Sequence, residues 1–199
     1  MKLAGKRILV VGMARSGIAA AELMMRYGAT PILNDRKKED AFGAEMDVLH
    51  GTACEFRLGE DPIKLLDEAD GLVISPGVPI DAPVVLAAKE KNIPMVGELE
   101  LAWSLLQGDV LAISGTNGKT TTTTLLGKIF ENAGRVTHVA GNIGYPLSSV
   151  AMESRKDDVS VVEVSSFQLE SIKTFHPHGG SPQPPWHDGA VHQAEAAHL

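Results

Sequence analysis

The chain contains a single cysteine, Cys54, among its 199 residues. No internal disulfide can form, a reducing compartment is expected, and packing is the expected use of the thiol. Aromatic residues make up only 5% of the chain, too few for a base-stacking surface. The net charge is −7 and no block of basic residues occurs, so a nucleic-acid footprint is missing as well. Nor is there an apolar run near the roughly 20 residues that a membrane helix needs. Ile8-Leu9-Val10-Val11, although preceded by Lys2, Lys6 and Arg7, stops at Gly12 and is too short for a secretory leader. These absences lead to an expected soluble, cytoplasmic monomer with neither nucleic acid nor membrane as a partner.

What is present is alternation. Short apolar runs at Ile8 to Val11, Pro31 to Leu33, Gly71 to Ile74 and Ile93 to Val96 are separated by amphipathic stretches such as Ile18 to Tyr27. Continuous apolar strands divided by helices predict an α/β fold with a parallel sheet covered on both faces. A helical segment over 97–107 follows, and the alternation then resumes with Val110 to Ile113, a helix over Leu125 to Asn132, a strand over Val136 to Ala140 and another over Val159 to Val164. The expected organisation is a Rossmann-like domain over 1–97, a partial P-loop ATPase-type domain over 98–175, and a separate tail over 176–199.

Gly115-Thr116-Asn117-Gly118-Lys119-Thr120-Thr121 directly follows the Val110 to Ile113 run and opens a helix-like segment. Glycines let successive N–H groups face an anion, the helix start adds its positive dipole end, and Lys119 supplies a mobile charge. Thr120 would offer its hydroxyl to the magnesium ion that accompanies a nucleotide. The spacing is shorter than the general phosphate-loop pattern, since Ile113 stands where that pattern has its first glycine. Gly115 would make the turn instead, with Thr116 and Asn117 lining it.

Two further loops close the first set of strands. Gly12-Met13-Ala14-Arg15-Ser16-Gly17 follows the first strand, and Asp35 lies eighteen residues beyond Gly17. The arrangement is close to the dinucleotide fingerprint, but Ala14 replaces the glycine that lets a pyrophosphate approach the backbone. A tight turn without a ligand remains the alternative. Ser75-Pro76-Gly77-Val78-Pro79 ends the Leu72 to Ile74 strand, placing a second Gly/Pro loop at the same carboxyl edge, where open α/β sheets bind ligands. In the second half, Glu163 ends a buried apolar strand and pairs with Thr120 as the expected magnesium-binding set. Gly141-Asn142-Ile143-Gly144 is read either as another ligand loop, with Asn142 offering donor and acceptor, or as a simple turn.

Taken in order, Gly12 to Gly17, Ser75 to Pro79, Gly97-Glu98-Leu99-Glu100-Leu101, Gly115 to Thr121, Gly141 to Gly144 and Glu163-Val164-Ser165-Ser166-Phe167-Gln168-Leu169-Glu170 resemble the Mur ligase family from near residue 5 to near 175. The resemblance implies ATP and Mg2+ as co-substrate and metal. It implies UDP-N-acetylmuramoyl-L-alanine and D-glutamate as the partners joined through an acyl phosphate, in the synthesis of a peptidoglycan precursor. By the same resemblance Arg15, Ser16, Asp35, Ser75 and Asn142 would contact the UDP-linked substrate. Gly115, Thr116, Asn117, Gly118, Lys119, Thr120 and Thr121 would hold ATP. Lys119 and Glu163 would act in catalysis, and Thr120 and Glu163 would serve the metal.

Beyond Phe175 the resemblance stops. Four of the eleven prolines and five of the seven histidines fall in the last segment, which shows no apolar period and is expected to be disordered. The histidines at 176, 178, 187, 192 and 198 match no metal-ligand spacing. The resulting expectation is an incomplete ligase with little or no turnover. A non-catalytic module that binds a nucleotide or UDP-sugar is the alternative. An NAD-dependent oxidoreductase would leave Gly115 to Thr121 unexplained, and a folate-linked ligase would leave Ser75 to Gly77 unexplained.

Overall fold

The computed structural model describes residues 3–38, Phe42 and 44–177. Expectations about the tail from 178 onward, including the histidines at 178, 187, 192 and 198, lie outside the described residues. Two parallel sheets form the frame, the first ordered β3-β2-β1-β4-β5 and the second β6-β8-β7.

In the first sheet β1 (Arg7–Val11) is central, flanked by β2 (Thr30–Asn34) and β4 (Gly71–Ile74), with β3 (Glu55–Phe56) and β5 (Met95–Gly97) at the edges. Its apolar run serves both faces. Ile8 and Val10 enter one core with α1 (Arg15–Arg26), whereas Leu9 and Val11 enter the other with α2 (Pro62–Leu65) and α3 (Pro83–Glu90). Alternate side chains of a strand point to opposite faces, so a run buried on both must be apolar throughout. Strand order reverses at β1, and the crevice beyond the carboxyl ends of β1 and β4 is the switch point of the sheet.

The helix α4 (Glu98–Trp103) leads into the second sheet, which contains β6 (Asp109–Ile113), α5 (Lys119–Asn132), β7 (Thr137–Gly141), α6 (Leu147–Glu153), β8 (Val159–Glu163) and α7 (Ser166–Leu169). α4 is shorter than the segment expected over 97–107, and β5 begins two residues later than expected. Pro94 has no N–H to donate, although its carbonyl accepts from Leu72 N. α5 begins at Lys119, where the glycine loop is expected to open a helix, and runs on through the stretch read over Leu125 to Asn132. The threonine run is a weak helix former, but Thr123 is buried and its hydroxyl donates to Lys119 O. Gly127 lets the same helix lie against β7, since a Cβ there would meet Val139 Cγ2 at 2.5 Å.

The two sheets share one apolar core. α1 packs against both α4 and α6, and Met24, Leu101, Trp103, Leu147, Val150 and Val162 belong to a single buried cluster. Burial of each large apolar side chain contributes about 1.5–3 kcal/mol. Among the described residues no helix is long and apolar enough to cross a membrane.

Candidate functional site

The residues singled out in the sequence fall at the carboxyl ends of the strands, in two groups. In the first, the chain leaves β1 at Gly12, whose φ is +96°, and turns into α1. Ser75 at the end of β4 is buried and donates its hydroxyl to Gly12 O at 2.6 Å, tying the two loops together. Gly17 lies so close to that turn that a Cβ would stand 1.9 Å from Gly12 O. Asp35 turns inward: one carboxylate oxygen accepts from Met13 N at 2.8 Å and the other from Lys37 N at 3.0 Å. Arg15 and Ser16 are the first residues of α1, where Ala14 provides no side-chain cap and Arg15 is exposed. A helix start without a capping side chain has free N–H groups for an anion.

The second group is organised by strand register. β8 is the middle strand, and its last residue, Glu163, is level with Ile113 at the end of β6 and Gly141 at the end of β7. The loops that leave β6 and β7 therefore flank the same carboxylate. Glu163 is 1% exposed. Its Oε2 accepts from Thr120 Oγ1 at 2.8 Å and its Oε1 from Asn142 Nδ2 at 2.9 Å. Asn142 N also donates to Glu163 O at 2.8 Å.

Gly115 and Gly118 adopt φ of +143° and +76°, with open space where a Cβ would stand. Thr116, Asn117 and Thr121 are exposed beside them. Lys119 Nζ curls over this loop, donating to Gly115 O at 2.7 Å and Thr116 O at 3.4 Å. A carboxylate and a hydroxyl in contact supply the hard oxygen donors that suit Mg2+, leaving its other positions to phosphate oxygens and water. Among the described residues no three His, Cys, Asp or Glu side chains cluster as a metal site.

A small crevice at the seam is lined by Ser75, Pro76 and Val78 from the first sheet, by Glu98 of α4, and by Phe167, Gln168 and Ser171 after β8. Phe167 is 68% exposed there, whereas Gln168 is buried in a capping box with Ser165. Sequence reading missed the part played by α4. Glu98 and Glu100 are both buried, which their charge does not suggest. Burial pushes the Glu98 carboxyl above its ordinary value, only partly opposed by the hydrogen bond from Ser148.

A cleft of about 770 Å³ lies elsewhere, between the last turn of α1 and the starts of β7 and β8, with Arg26, His138 and Arg155 among its lining residues. None of the singled-out residues lines it. At its floor His138 and Asp158 are 2.9 Å apart. Burial alone would raise the Asp158 carboxyl, but the hydrogen bonds from His138 and Arg155 N outweigh it and hold it below its ordinary value. Because ligands of open parallel sheets bind at the carboxyl edge, this cleft is not the candidate site.

Comparison with known proteins matches the Mur ligase MurD-like N-terminal domain over residues 6–97 and the Mur ligase middle domain over 113–177. The UDP-N-acetylmuramoylalanine--D-glutamate ligase of Alkaliphilus oremlandii is 48% identical over 91% of this chain and 40% of its own length. The enzyme of the same name from Streptococcus mutans is 42% identical over 87% of this chain and 38% of its own length. The chain thus spans about 40% of the length of the curated relatives it matches. Among solved structures, UDP-N-acetylmuramate:L-alanyl-gamma-D-glutamyl-meso-diaminopimelate ligase from Neisseria meningitides superposes with a TM-score of 0.52 at 23% identity, over 80% of this chain and 52% of that one, a likeness of fold. Two successive domain matches in family order, with relatives identical at nearly half of the aligned positions, show that this chain belongs to the Mur ligase family.

Proposed function

We propose that this chain carries the substrate and nucleotide grips of an ATP-dependent ligase that joins D-glutamate to UDP-N-acetylmuramoyl-L-alanine. On this reading residues 1–97 hold the UDP end of the substrate, while 98–175 form a P-loop ATPase-type domain. The observation that carries the proposal is the convergence of Thr120 and Asn142 on Glu163 beside the Gly115 to Gly118 loop. One domain's carboxylate is thereby linked to residues expected to face both ligands.

The loop amides and Lys119 would hold the ATP phosphates once the ammonium leaves Gly115 O for a phosphate oxygen, exchanging a neutral acceptor for a charged one. Thr120 and Glu163 would hold Mg2+, which when bound offsets charge on the phosphates. Arg15, Ser16 and the uncapped start of α1 would face the UDP phosphates, and Ser75, Asp35 and Asn142 would orient the remainder. In the reaction the substrate carboxylate attacks the γ-phosphate, forming an acyl phosphate and releasing ADP. The amine of D-glutamate then attacks the acyl carbon and phosphate departs. Two anions must approach in the first step, so the local demand is charge neutralisation by Lys119 and aligned N–H dipoles. The names of the relatives support the assignment of D-glutamate and the UDP-linked substrate.

Titration calorimetry on the folded chain tests the proposal. Mg-ADP and UDP-N-acetylmuramoyl-L-alanine should each bind saturably, and Lys119→Ala should weaken only the first. Absence of binding for both ligands would reject the two-grip reading, while D-glutamate-dependent ADP release measures the full reaction.

A further inference from the structure

The α4 carboxylates have no place in the proposed chemistry, yet they make the most directed contacts at the seam between the sheets. Glu98 Oε1 accepts from Ser148 N at 2.7 Å, in the first turn of α6. Ser148 lies a few residues after Asn142, so this bond anchors the end of the Gly141 to Gly144 loop. Glu100 holds the segment after α7: Oε2 accepts from Lys173 N at 2.9 Å, and Oε1 from Thr174 N at 2.7 Å and Thr174 Oγ1 at 2.6 Å. Trp103, one turn further along α4, donates Nε1–H to Thr174 O at 3.0 Å and meets Phe175 edge-on, with ring centroids 5.2 Å apart. Gly97 completes the join, because any Cβ there would stand 2.2 Å from Ser171 Oγ.

Two buried carboxylates are an expensive way to hold a helix in an apolar seam, since each must be taken out of water. Leucine at either position would pack without that cost. What carboxyl groups add is direction: an apolar contact tolerates sliding, whereas a buried carboxyl oxygen fixes the donor it accepts from, one donor for Glu98 and three for Glu100. The segments fixed are the ones that flank Glu163 on either side, and the α7 segment carries Phe167 and Gln168 to the Ser75 loop.

We propose that Glu98 and Glu100 are positioning residues that hold the Asn142 loop and the α7 segment in register with the Ser75 loop, so that a ligand spanning both sheets meets one continuous surface. The inference rests on the two-grip reading above. It makes the seam a determinant of affinity for the spanning ligand alone, because UMP reaches only the first sheet's loops and Mg-ADP only the phosphate loop.

The two carboxylates differ in a way that makes the idea testable on the full chain. Glu98 uses one oxygen, so the amide in Glu98→Gln still offers an acceptor to Ser148 N. Glu100 uses both oxygens, so Glu100→Gln would turn an NH2 toward a donor. The probes are UMP, Mg-ADP and UDP-N-acetylmuramoyl-L-alanine, titrated by calorimetry, with Trp103 emission, read with the chain's other tryptophan replaced by Trp186→Phe, as a local signature. Glu100→Gln is expected to weaken the spanning ligand about tenfold, to leave UMP and Mg-ADP within about twofold, and to shift Trp103 emission. Glu98→Gln should match the parent for all three probes. If Glu100→Gln does not fold, Thr174→Val, which removes only the hydroxyl donor, should weaken the spanning ligand several-fold in the same selective pattern. Equal losses for all three probes, or no loss for the spanning ligand in Glu100→Gln and Thr174→Val, would overturn the positioning role. Failure of the parent chain to bind the probes would instead remove the two-grip reading on which it rests.

Discussion

Thr120 Oγ1 donates to Glu163 Oε2 at 2.8 Å, closing the first turn of α5 onto the end of β8. Glu163 meets Asn142 Nδ2 through its other oxygen, so one buried carboxylate spans the loops after β6 and β7. Glu163→Gln leaves one of these donors facing an NH2 group. We expect a loss of about 1–3 kcal/mol in stability from the unsatisfied donor, measured by urea unfolding. Magnesium-dependent ADP affinity should fall at least about tenfold, measured by calorimetry. Unchanged affinity would separate Glu163 from the metal.

Lys119 provides the opposite case. Among the described residues its ammonium donates to Gly115 O and Thr116 O on the loop surface. Lys119→Ala should change stability by no more than about 0.5 kcal/mol, while ADP binding should weaken by about ten- to a hundredfold, as expected for loss of a charge-assisted contact. A large fall in melting temperature would mean that the side chain is structural.

Glycine substitutions should separate crowding from backbone strain. At Gly17 an added Cβ meets Gly12 O at 1.9 Å, so Gly17→Ala must displace the turn or α1, costing about 3 kcal/mol at the upper end of overpacking effects. At Gly118 the space is open but φ is +76°, and Gly118→Ala should cost about 1–2 kcal/mol. Denaturant midpoints measure both. Gly17→Ala should also weaken UMP, whereas Gly118→Ala should weaken only ADP.

Two carboxyls should give stability opposite pH dependences. The Glu98 carboxyl is raised from 4.5 by burial, so the folded state holds its proton more tightly than the unfolded state. Its stabilising contribution is therefore full below 4.5 and is lost as pH rises through the raised folded value. Asp158 is held below 3.8, because its hydrogen bonds outweigh the effect of burial, so its contribution is present above 3.8 and is lost as pH falls through the lowered value. In urea midpoints taken across the acid range, Glu98→Gln should remove the first slope and Asp158→Asn the second. A slope that persists in its variant refutes that assignment.

Local pattern was enough to read the strand and helix alternation, because a strand buried on both faces must be apolar throughout and Ile8 to Val11 is. It was enough to single out Gly115 to Thr121, since glycines, a lysine and hydroxyls at a strand-to-helix junction have few uses beyond anion binding. It also named Thr120 and Glu163 as a pair, and the fold brings them into contact. The helix opened by that loop was read as well, although threonine is a weak helix former; the packing of Thr123 and Gly127 against the sheet supports it there.

The burial of Glu98 and Glu100 was not legible. Ionisable side chains are rarely buried without partners, and their donors, Ser148 and the Lys173–Thr174 pair, lie about 50 and 73 residues away in the chain. The inward turn of Asp35 toward Met13 N was hidden for the same reason. The sequence alone determined the fold class and the chemistry-bearing residue types, because periodicity and loop composition act over short spans. Only the tertiary structure decided which polar groups meet, since parallel register set Ile113, Gly141 and Glu163 at one level and the packing of α4 against α1 and α6 closed the seam.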